Sequence, residues 1–524
     1  MDSLDTVRER FAASEQPTEA WKPQTHARDV PTYPGERRRR WWPLAWPVAA
    51  VATLGLALAL PHSVQAKTFY CAAGDVTCLI DAINQANTQG DKNLIRLQAG
   101  TYTLTAVDND TEGPNGLPVI TSPLTITGHG AETTIIERDA SAPVFRFFMV
   151  AAQGTLSLKR LTLHGGGARF SSISGGAIFN DGTLTVTRST LTANVAFGAG
   201  GAIFNRGTLT VTRSTLTANV GDTGAGISNI GTATITNSTL AQNRTIHEGG
   251  AVSNFGTMLV TATTFAHNDA DGGSAIFNLG PLTVTNSTFI ANTGGALGTP
   301  AIFNIGPLVV INTTFARNMA TSGIFEQGAA IANFATLVLT HSTLADNVVS
   351  GNAFGSALLA SASDATTILQ NTLIARNVGQ SPSALPPGAP GTRGPDCSGV
   401  VTSFGTNLIG DTTGCTIIRP PGVRDLTGDP GLGAFTDNGR PGQGHVPLLP
   451  TSQAIDAGSE AFCLLRDQLG HRRVNIPGVG ASRCDIGAIE FSGTHDHPHD
   501  EDDDDHDDED HDDRDIAAAA QASQ

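Results

Sequence analysis

The chain repeats itself almost verbatim. "GGAIFNDGTLTVTRSTLTAN" at 175–194 returns as "GGAIFNRGTLTVTRSTLTAN" at 200–219, and the one change is Asp181 to Arg206. Looser copies follow, marked by an Asn after "[IV]x": Asn180, Asn205, Asn229, Asn254, Asn278, Asn304 and Asn333. A second column lies fourteen residues later each time, at Asn194, Asn219, Asn243, Asn268, Asn292, Asn318 and Asn347. The steps are 25, 24, 25, 24, 26 and 29. A period in the twenties means a solenoid, because one such unit is too small to bury its own apolar face and must stack on its neighbours.

The local period says which solenoid. In "GTLTVTRSTLTAN" the apolar Leu184, Val186, Leu191 and Ala193 alternate with polar residues, which is strand spacing rather than helical spacing. Thr and Val inside the unit, with Gly and Asn at its breaks, point the same way. The leucine-rich frame is absent. Each unit is therefore expected to be one turn of an all-β, single-stranded parallel β-helix, stacked about 4.8 Å from the next. Irregular strands before the clean repeat, and "TTILQNTLIARN" after it, bring the total to about eleven turns, about 50 Å long at that spacing. Like should rest on like: Leu184, Leu209, Ile235, Leu259 and Val284 form one expected column, and Leu191, Leu216, Leu240, Phe265, Phe289, Phe315 and Leu344 another. The Asn columns are expected at corners, with amides bonding from turn to turn and left-handed backbone tolerated. Gly-Gly pairs at 175, 200, 249, 272 and 294 supply sharp bends.

Open ends of such a stack template aggregation and need caps. "DVTCLIDAINQAN" has Leu79, Ile80, Ile83 and Ala86 at helical spacing and is expected to cap the N-terminal end. Residues 397–491, with four of the six cysteines, are expected to cap the other. The division is then 1–66 n-region and signal peptide, 67–105 N-terminal cap and first strands, 106–380 repeats, 381–396 Pro/Gly-rich loop, 397–491 C-terminal cap, and 492–524 an Asp/His-rich tail expected to be disordered.

The formal charge of −17 lies mostly in that tail: His495–Asp515 carries 14 Asp/Glu against one Arg, while residues 1–66 are nearly balanced. The body is only mildly acidic and has no basic domain of the kind nucleic acid requires, so no nucleic-acid partner is expected. Arg37–Arg40 precede an apolar run from Val48 to Leu60 and small residues at Val64 and Ala66, the pattern of a secretory signal cut after Ala66. An uncleaved anchor over Trp41–Leu60 is the alternative, and it is the only membrane contact expected. The long n-region leaves the start codon open. In either case the folded part is expected to be secreted or at a bacterial cell surface, as a monomer. Export suits disulfides, and of the fifteen connectivities the local one, Cys71–Cys78, Cys397–Cys415 and Cys463–Cys484, is expected.

Three stretches carry resemblances. "GGAI", "GGAV" and "GGAL", with "FAHN", "FIAN" and "FARN" at 265, 289 and 315, resemble the GGA[ILV] and FxxN repeats of chlamydial polymorphic membrane proteins. "NLIGDTTGCT", "DLTGDPGLGAFTDNGRPGQGHVPLLPTSQAIDAGSEAFC", "RDQLGHRR" and "CDIGAIEF" between 407 and 491 resemble the C-terminal part of bacterial choice-of-anchor Q proteins. Residues 67–105, with "CLIDAINQAN" and "IRLQAGTYTLT", are similar to the start of CSLREA-type proteins. Together they imply a right-handed, pectate-lyase-like β-helix on an exported bacterial protein, with no transferable chemistry.

The same fold hosts lyases and hydrolases of polysaccharides, whose sites need carboxylates on neighbouring turns with an Arg or Lys. Between 151 and 377 no two acids share a column on adjacent turns, and the nearest candidate is Asp222, His247 and Asp271 on one loop edge. "DNDTEG" gives Asp108, Asp110 and Glu112 the spacing of half a Ca²⁺ loop, but Val119 stands where the closing carboxylate belongs. His495, His497, His499, His506 and His511 sit among the tail carboxylates, so weak binding of Ca²⁺ or another divalent cation is open and no cofactor is required. The 397–491 segment concentrates Asp437, His445, Asp456, Asp467, His471, Arg472, Arg473, Asp485 and Glu490, read as structural ion pairs rather than catalysis. The expected function is non-enzymatic: an adhesin-like protein binding polysaccharide or cell-surface ligands. The alternative is a polysaccharide lyase or glycoside hydrolase.

Overall fold

A run such as Ile178-Phe-Asn, a bend, Thr183–Thr187, a corner, Thr190–Thr192, a second corner and Val195–Ala196 makes one turn of a right-handed parallel β-helix. The computed structural model describes residues 66–90, 92–168, 173–295, 299–321, 328–350, 356–360, 365–380, 395–475 and 484–492. The stacked turns form three parallel sheets. Among the described residues sheet 1 has 23 strands from the first two arms of each turn, sheet 2 has 13 and sheet 3 has 9. The turns number about eleven. No helix among the described residues is long and apolar enough to cross a membrane. Residues 1–65, where a signal peptide is expected, residues 381–394 of the Pro/Gly loop and the Asp/His tail lie outside the described residues.

The duplicated turns stack in register, Ile178 on Ile203, Leu184 on Leu209 and Leu191 on Leu216. The sheet 2 column runs Leu191, Leu216, Leu240, Phe265, Phe289, Phe315, Leu344, all fully buried. Phe265, Phe289 and Phe315 stack face to face at 4.6 and 4.5 Å between centroids. The expected sheet 1 column mixes two registers. Leu209 is followed by Ala233, Met258 and Leu282, whereas Ile235 and Val284 belong to the Val186 column, and Leu259 points outward at 42 % exposure. Period-two alternation looks the same after a two-residue slip, so only the stacked backbone separates the columns.

The N-terminal end is closed by helix α1, Val76–Gln89, whose Leu79, Ala82, Ile83 and Ala86 enter the main core. Asp75 caps it by accepting from Cys78 N at 2.9 Å, and Gly90 ends it with φ 74°. Three disulfides form, Cys71–Cys78, Cys397–Cys415 and Cys463–Cys484.

The segment 397–491 is not an end cap. Its first part continues the solenoid: Cys397–Ser403 and Cys415–Ile418 join sheet 1, while Leu408–Ile409 and Leu426–Thr427 join sheet 2. The remainder turns back as a strap along the outer face of sheet 2. There Leu432, Val446, Leu448, Ile455 and Ile486 pack on Ala316, Ala345, Leu373, Ala375 and Leu408. The reason lies in that face: Ala and Leu replace the outward polar residues of earlier turns, leaving an apolar strip that must be covered.

Candidate functional site

Buried amides form two ladders through the stack. In Asn180, Asn205, Asn229, Asn254, Asn278, Asn304 and Asn333 each Nδ2 donates to the Oδ1 of the next at 2.6–2.8 Å. The second ladder runs Asn194, Asn219, Asn243, Asn268, Asn292, Asn318, Asn347 and on to Asn377, and each Oδ1 accepts from both the Nδ2 and the backbone N of the Asn before it. The left-handed residues are not these Asn but the ones just before the second column, such as Ala193, Ala218 and His267 at φ 54–55°. Placing the kink one residue earlier lets each amide turn inward. A third column went unread in the sequence: Ser189, Ser214, Ser238, Thr263, Ser287 and Thr313, whose hydroxyls mostly link neighbouring turns. Small Ser/Thr residues amid many outward threonines give no distinguishing signal. These columns hold backbone and offer nothing to a ligand.

Asp396 ends the second ladder, accepting from Asn377 N and Nδ2 at 3.0 and 2.8 Å and from Asp411 N at 2.8 Å. Burial pushes its carboxyl up to about 6 against those hydrogen bonds. Its 19-residue offset from Asn377 hides it from a period search. Beside it opens a cleft of about 710 Å³ lined by Arg376, Asp396, Asp411 and Asp429. Arg376 binds Asp346 at 2.5 Å and the carbonyl of Leu432 at 2.7 Å, while Asp411 and Asp429 each accept from a backbone N two residues on. Every one of these groups is already engaged in holding a turn or the strap.

Among the described residues the one group of three His, Cys, Asp or Glu with ligand atoms within 4.8 Å is Asp456, Asp485 and Glu490, all buried within the strap. Arg473 enters it, its Nη1 donating to Glu490 Oε2 at 3.1 Å and its Nη2 to Asn312 Oδ1 at 3.1 Å. Backbone N–H groups of Asp456 and Phe491 take the two oxygens of Asp485. Burial pushes Glu490 up to about 7 and Asp485 up to about 6. His341 beneath them is pulled down to about 3, first by burial and then by Arg473. Asp467 accepts from the backbone N of Leu469, His471 and Glu490. The arrangement ties the strap to the solenoid with a guanidinium where a cation would sit. Asp437 holds a turn by accepting from Gly439 N, and His445 bonds the carbonyl of Gln443.

The loop edge places His247 Nδ1 2.6 Å from Asp222 Oδ1, both exposed. Asp271 is near enough to raise the neighbouring Glu248, on which burial acts most and Asp222 also acts. At Asp108, Asp110 and Glu112 the loop is stitched by Asn115, whose Nδ2 faces Asn109 Oδ1 and the carbonyls of Thr111 and Gly113 at 2.8–2.9 Å. The buried Arg146 donates to the Glu112 carbonyl at 2.7 Å. An amide and a guanidinium therefore occupy the middle of what reads as half a Ca²⁺ loop. The five tail histidines lie outside the described residues.

Residues 175–373 match the family of right-handed β-helix regions. No curated protein sequence matches the chain. Among solved structures, the chain is similar to the mannuronan C-5 epimerase AlgE6 A-module of Azotobacter vinelandii at 11 % identity and TM-score 0.29, over 68 % of this chain and 92 % of that one. It is similar to the PL6 family alginate lyase AlyGC at 13 % and 0.31, over 71 % and 55 %. For the catalytic domain of a GH87 α-1,3-glucanase in complex with nigerose the values are 12 % and 0.34, over 68 % and 66 %. At such identities and scores these likenesses say nothing about chemistry.

Proposed function

We propose that the protein is an exported, non-enzymatic β-helix whose threonine faces bind a polymeric polar ligand, a glycan or another surface. The observation that carries this is what the outward Thr column of sheet 2 already does. Thr264 accepts from Gly442 N at 2.8 Å, Thr288 donates to the Gly444 carbonyl at 2.6 Å, Thr314 donates to Gln468 Oε1 at 2.6 Å, and Thr343 accepts from Ala488 N at 2.9 Å. Three separate stretches of the strap are thus held at successive turns by one hydroxyl per turn. The same column continues through Thr190, Thr215 and Thr239, half-exposed, and sheet 1 presents Thr183, Thr185 and Thr187 above their equivalents in the next two turns. Three disulfides suit an oxidising compartment and support export.

The cleft at Arg376, Asp396, Asp411 and Asp429 favours a second reading, a polysaccharide lyase or hydrolase, because carboxylates and a guanidinium line one opening. One incubation separates the two. The purified chain is mixed with polyuronates and neutral glucans, with and without Ca²⁺, and followed for retention on the polymer and for soluble products. Retention without cleavage is the expected outcome. Release of unsaturated or shortened sugars, lost in Asp411→Asn and Asp429→Asn, would overturn the binding reading.

A further inference from the structure

The second arm of sheet 1 shows the solvent one residue type. In Thr183–Thr187, Thr208–Thr212 and Thr232–Thr236 every outward position is threonine, while the alternate residues are buried. Two further turns extend the pattern. Thr187, Thr212, Thr236, Thr261 and Thr285 form an unbroken column in register; the middle column is interrupted only by Leu259, and the first gives way to Pro281. All of these threonines are exposed or half-exposed. Thr285 donates to Thr261 Oγ1 at 3.0 Å and reaches the Val260 carbonyl at 3.5 Å; the other hydroxyls bond to no described residue. The array ends at Ser157 and Lys159 on one side and at Val309 and Ile311 on the other. No charged or aromatic residue lies on it, and charges stand only at its margins, Asp181 and Arg206 in one bend and Arg188 and Arg213 at the opposite corner. Threonines therefore recur about every 4.8 Å along the stack and about 6.6 Å across it, over roughly 19 by 13 Å.

We infer that this array binds ice. The inference rests on the reading of the threonine faces as binding surfaces and names ordered water as the ligand of one of them. A flexible polymer pays to be ordered against a surface, whereas a lattice is ordered beforehand and repeats at fixed spacing in two directions, as the array does. Threonine suits a water lattice. Its hydroxyl donates one hydrogen bond and accepts two, so it can stand in for a lattice water. Branching at Cβ stiffens χ1, and little side-chain freedom is lost on binding. The γ-methyl puts apolar surface between the hydroxyls, where first-shell water bonds to other water rather than to protein. A charged side chain would hold its own hydration shell out of lattice register, and none is present on the array. Aromatic rings, the rigid apolar contact that the face of a sugar would use, are missing as well, which favours ice over a crystalline glycan.

Thr212→Lys with Thr261→Lys places two charges on the array, and Lys159 shows that the same column accepts one. Ala193→Lys with Gln242→Lys adds the same charge at a distant corner, where Arg317 has the same left-handed backbone at φ 54°. The full chain and both variants, with thermal melts confirming folding, are tested for uptake into a slowly growing ice hemisphere, for faceting of single ice crystals, and for retention on microcrystalline cellulose. The full chain and the corner variant are expected to enter the ice and facet the crystals, and the array variant to be excluded as a non-binding protein is. Ice uptake unchanged in the array variant overturns the assignment to sheet 1. Loss of uptake in both variants ties it to net charge and overturns the assignment too. Exclusion of the full chain from ice, with retention on cellulose, overturns the ice inference and leaves the threonine faces as glycan-binding. Exclusion from ice with no retention on cellulose or on the soluble polymers of the preceding test overturns both.

Discussion

Replacing Asn268 by Ala tests whether the amide ladder holds the solenoid. Asn268 Oδ1 accepts from Asn243 N at 3.0 Å and from Asn243 Nδ2 at 3.1 Å, while its own Nδ2 donates to Asn292 Oδ1 and the Leu240 carbonyl at 2.9 Å. All three Asn are fully buried, so water cannot replace the missing partner. The substitution orphans two donors of Asn243; the Leu240 carbonyl keeps its place in the sheet 2 ladder, and Asn292 Oδ1 keeps the bond from Asn268 N. At about 1–3 kcal/mol for each of the two buried donors left unsatisfied, the loss sums to roughly 2–6 kcal/mol. The assay is guanidinium unfolding followed by circular dichroism near 218 nm, with Thr185→Ala on the outer face as a control expected within about 0.5 kcal/mol. A loss below about 1 kcal/mol at unchanged m-value would refute the reasoning, because it would mean the ladder is no better than its solvated alternative.

Removing Arg473 as Arg473→Met strips the buried carboxylates of their cation and should cost about 3–5 kcal/mol, read as strap release by limited proteolysis within 454–475. Glu490 and Asp485 both titrate above their ordinary values, so the unfolded chain ionises first as pH rises. Stability from this cluster is therefore full in mild acid and falls up to about pH 7, and Glu490→Gln should flatten the urea midpoint between pH 5 and 8; an equally steep profile would count against it. Phe289→Ala opens the middle of the Phe265–Phe289–Phe315 stack and should cost about 3–5 kcal/mol by the same unfolding assay. Asp181→Ala breaks a bidentate pair with Arg206, at 2.6 Å on both nitrogens but with Arg206 45 % exposed, and should change stability by less than about 1 kcal/mol.

The repeat itself was legible in the sequence at the level of turns. Stacking like on like follows from a 20-residue stretch that recurs 25 positions on with one substitution, and Asp181 and Arg206 do face each other one turn apart. The Asn columns were legible because amides recur at a fixed offset from an apolar pair. The sheet 1 column was not, since Leu259 and Met258 are adjacent apolar residues in "TMLVT" and alternation alone cannot say which turns inward.

For the candidate sites the limit was of another kind. Asp396 closes the ladder from beyond the Pro/Gly-rich loop, at a spacing no period contains. The strap shows the difference most clearly. Residues 429–491 contain no repeat, and their charged groups read alone as a compact cap. Their position depends on an apolar strip that sheet 2 assembles from Ala316, Ala345, Leu373, Ala375 and Leu408, one or two residues from each of several turns. Periodicity along the chain determined that the turns stack and which amides meet inside. Only the stacked structure decided what lies on the outside, because an outer face is built from residues some 25 positions apart and its partners answer to the face as a whole.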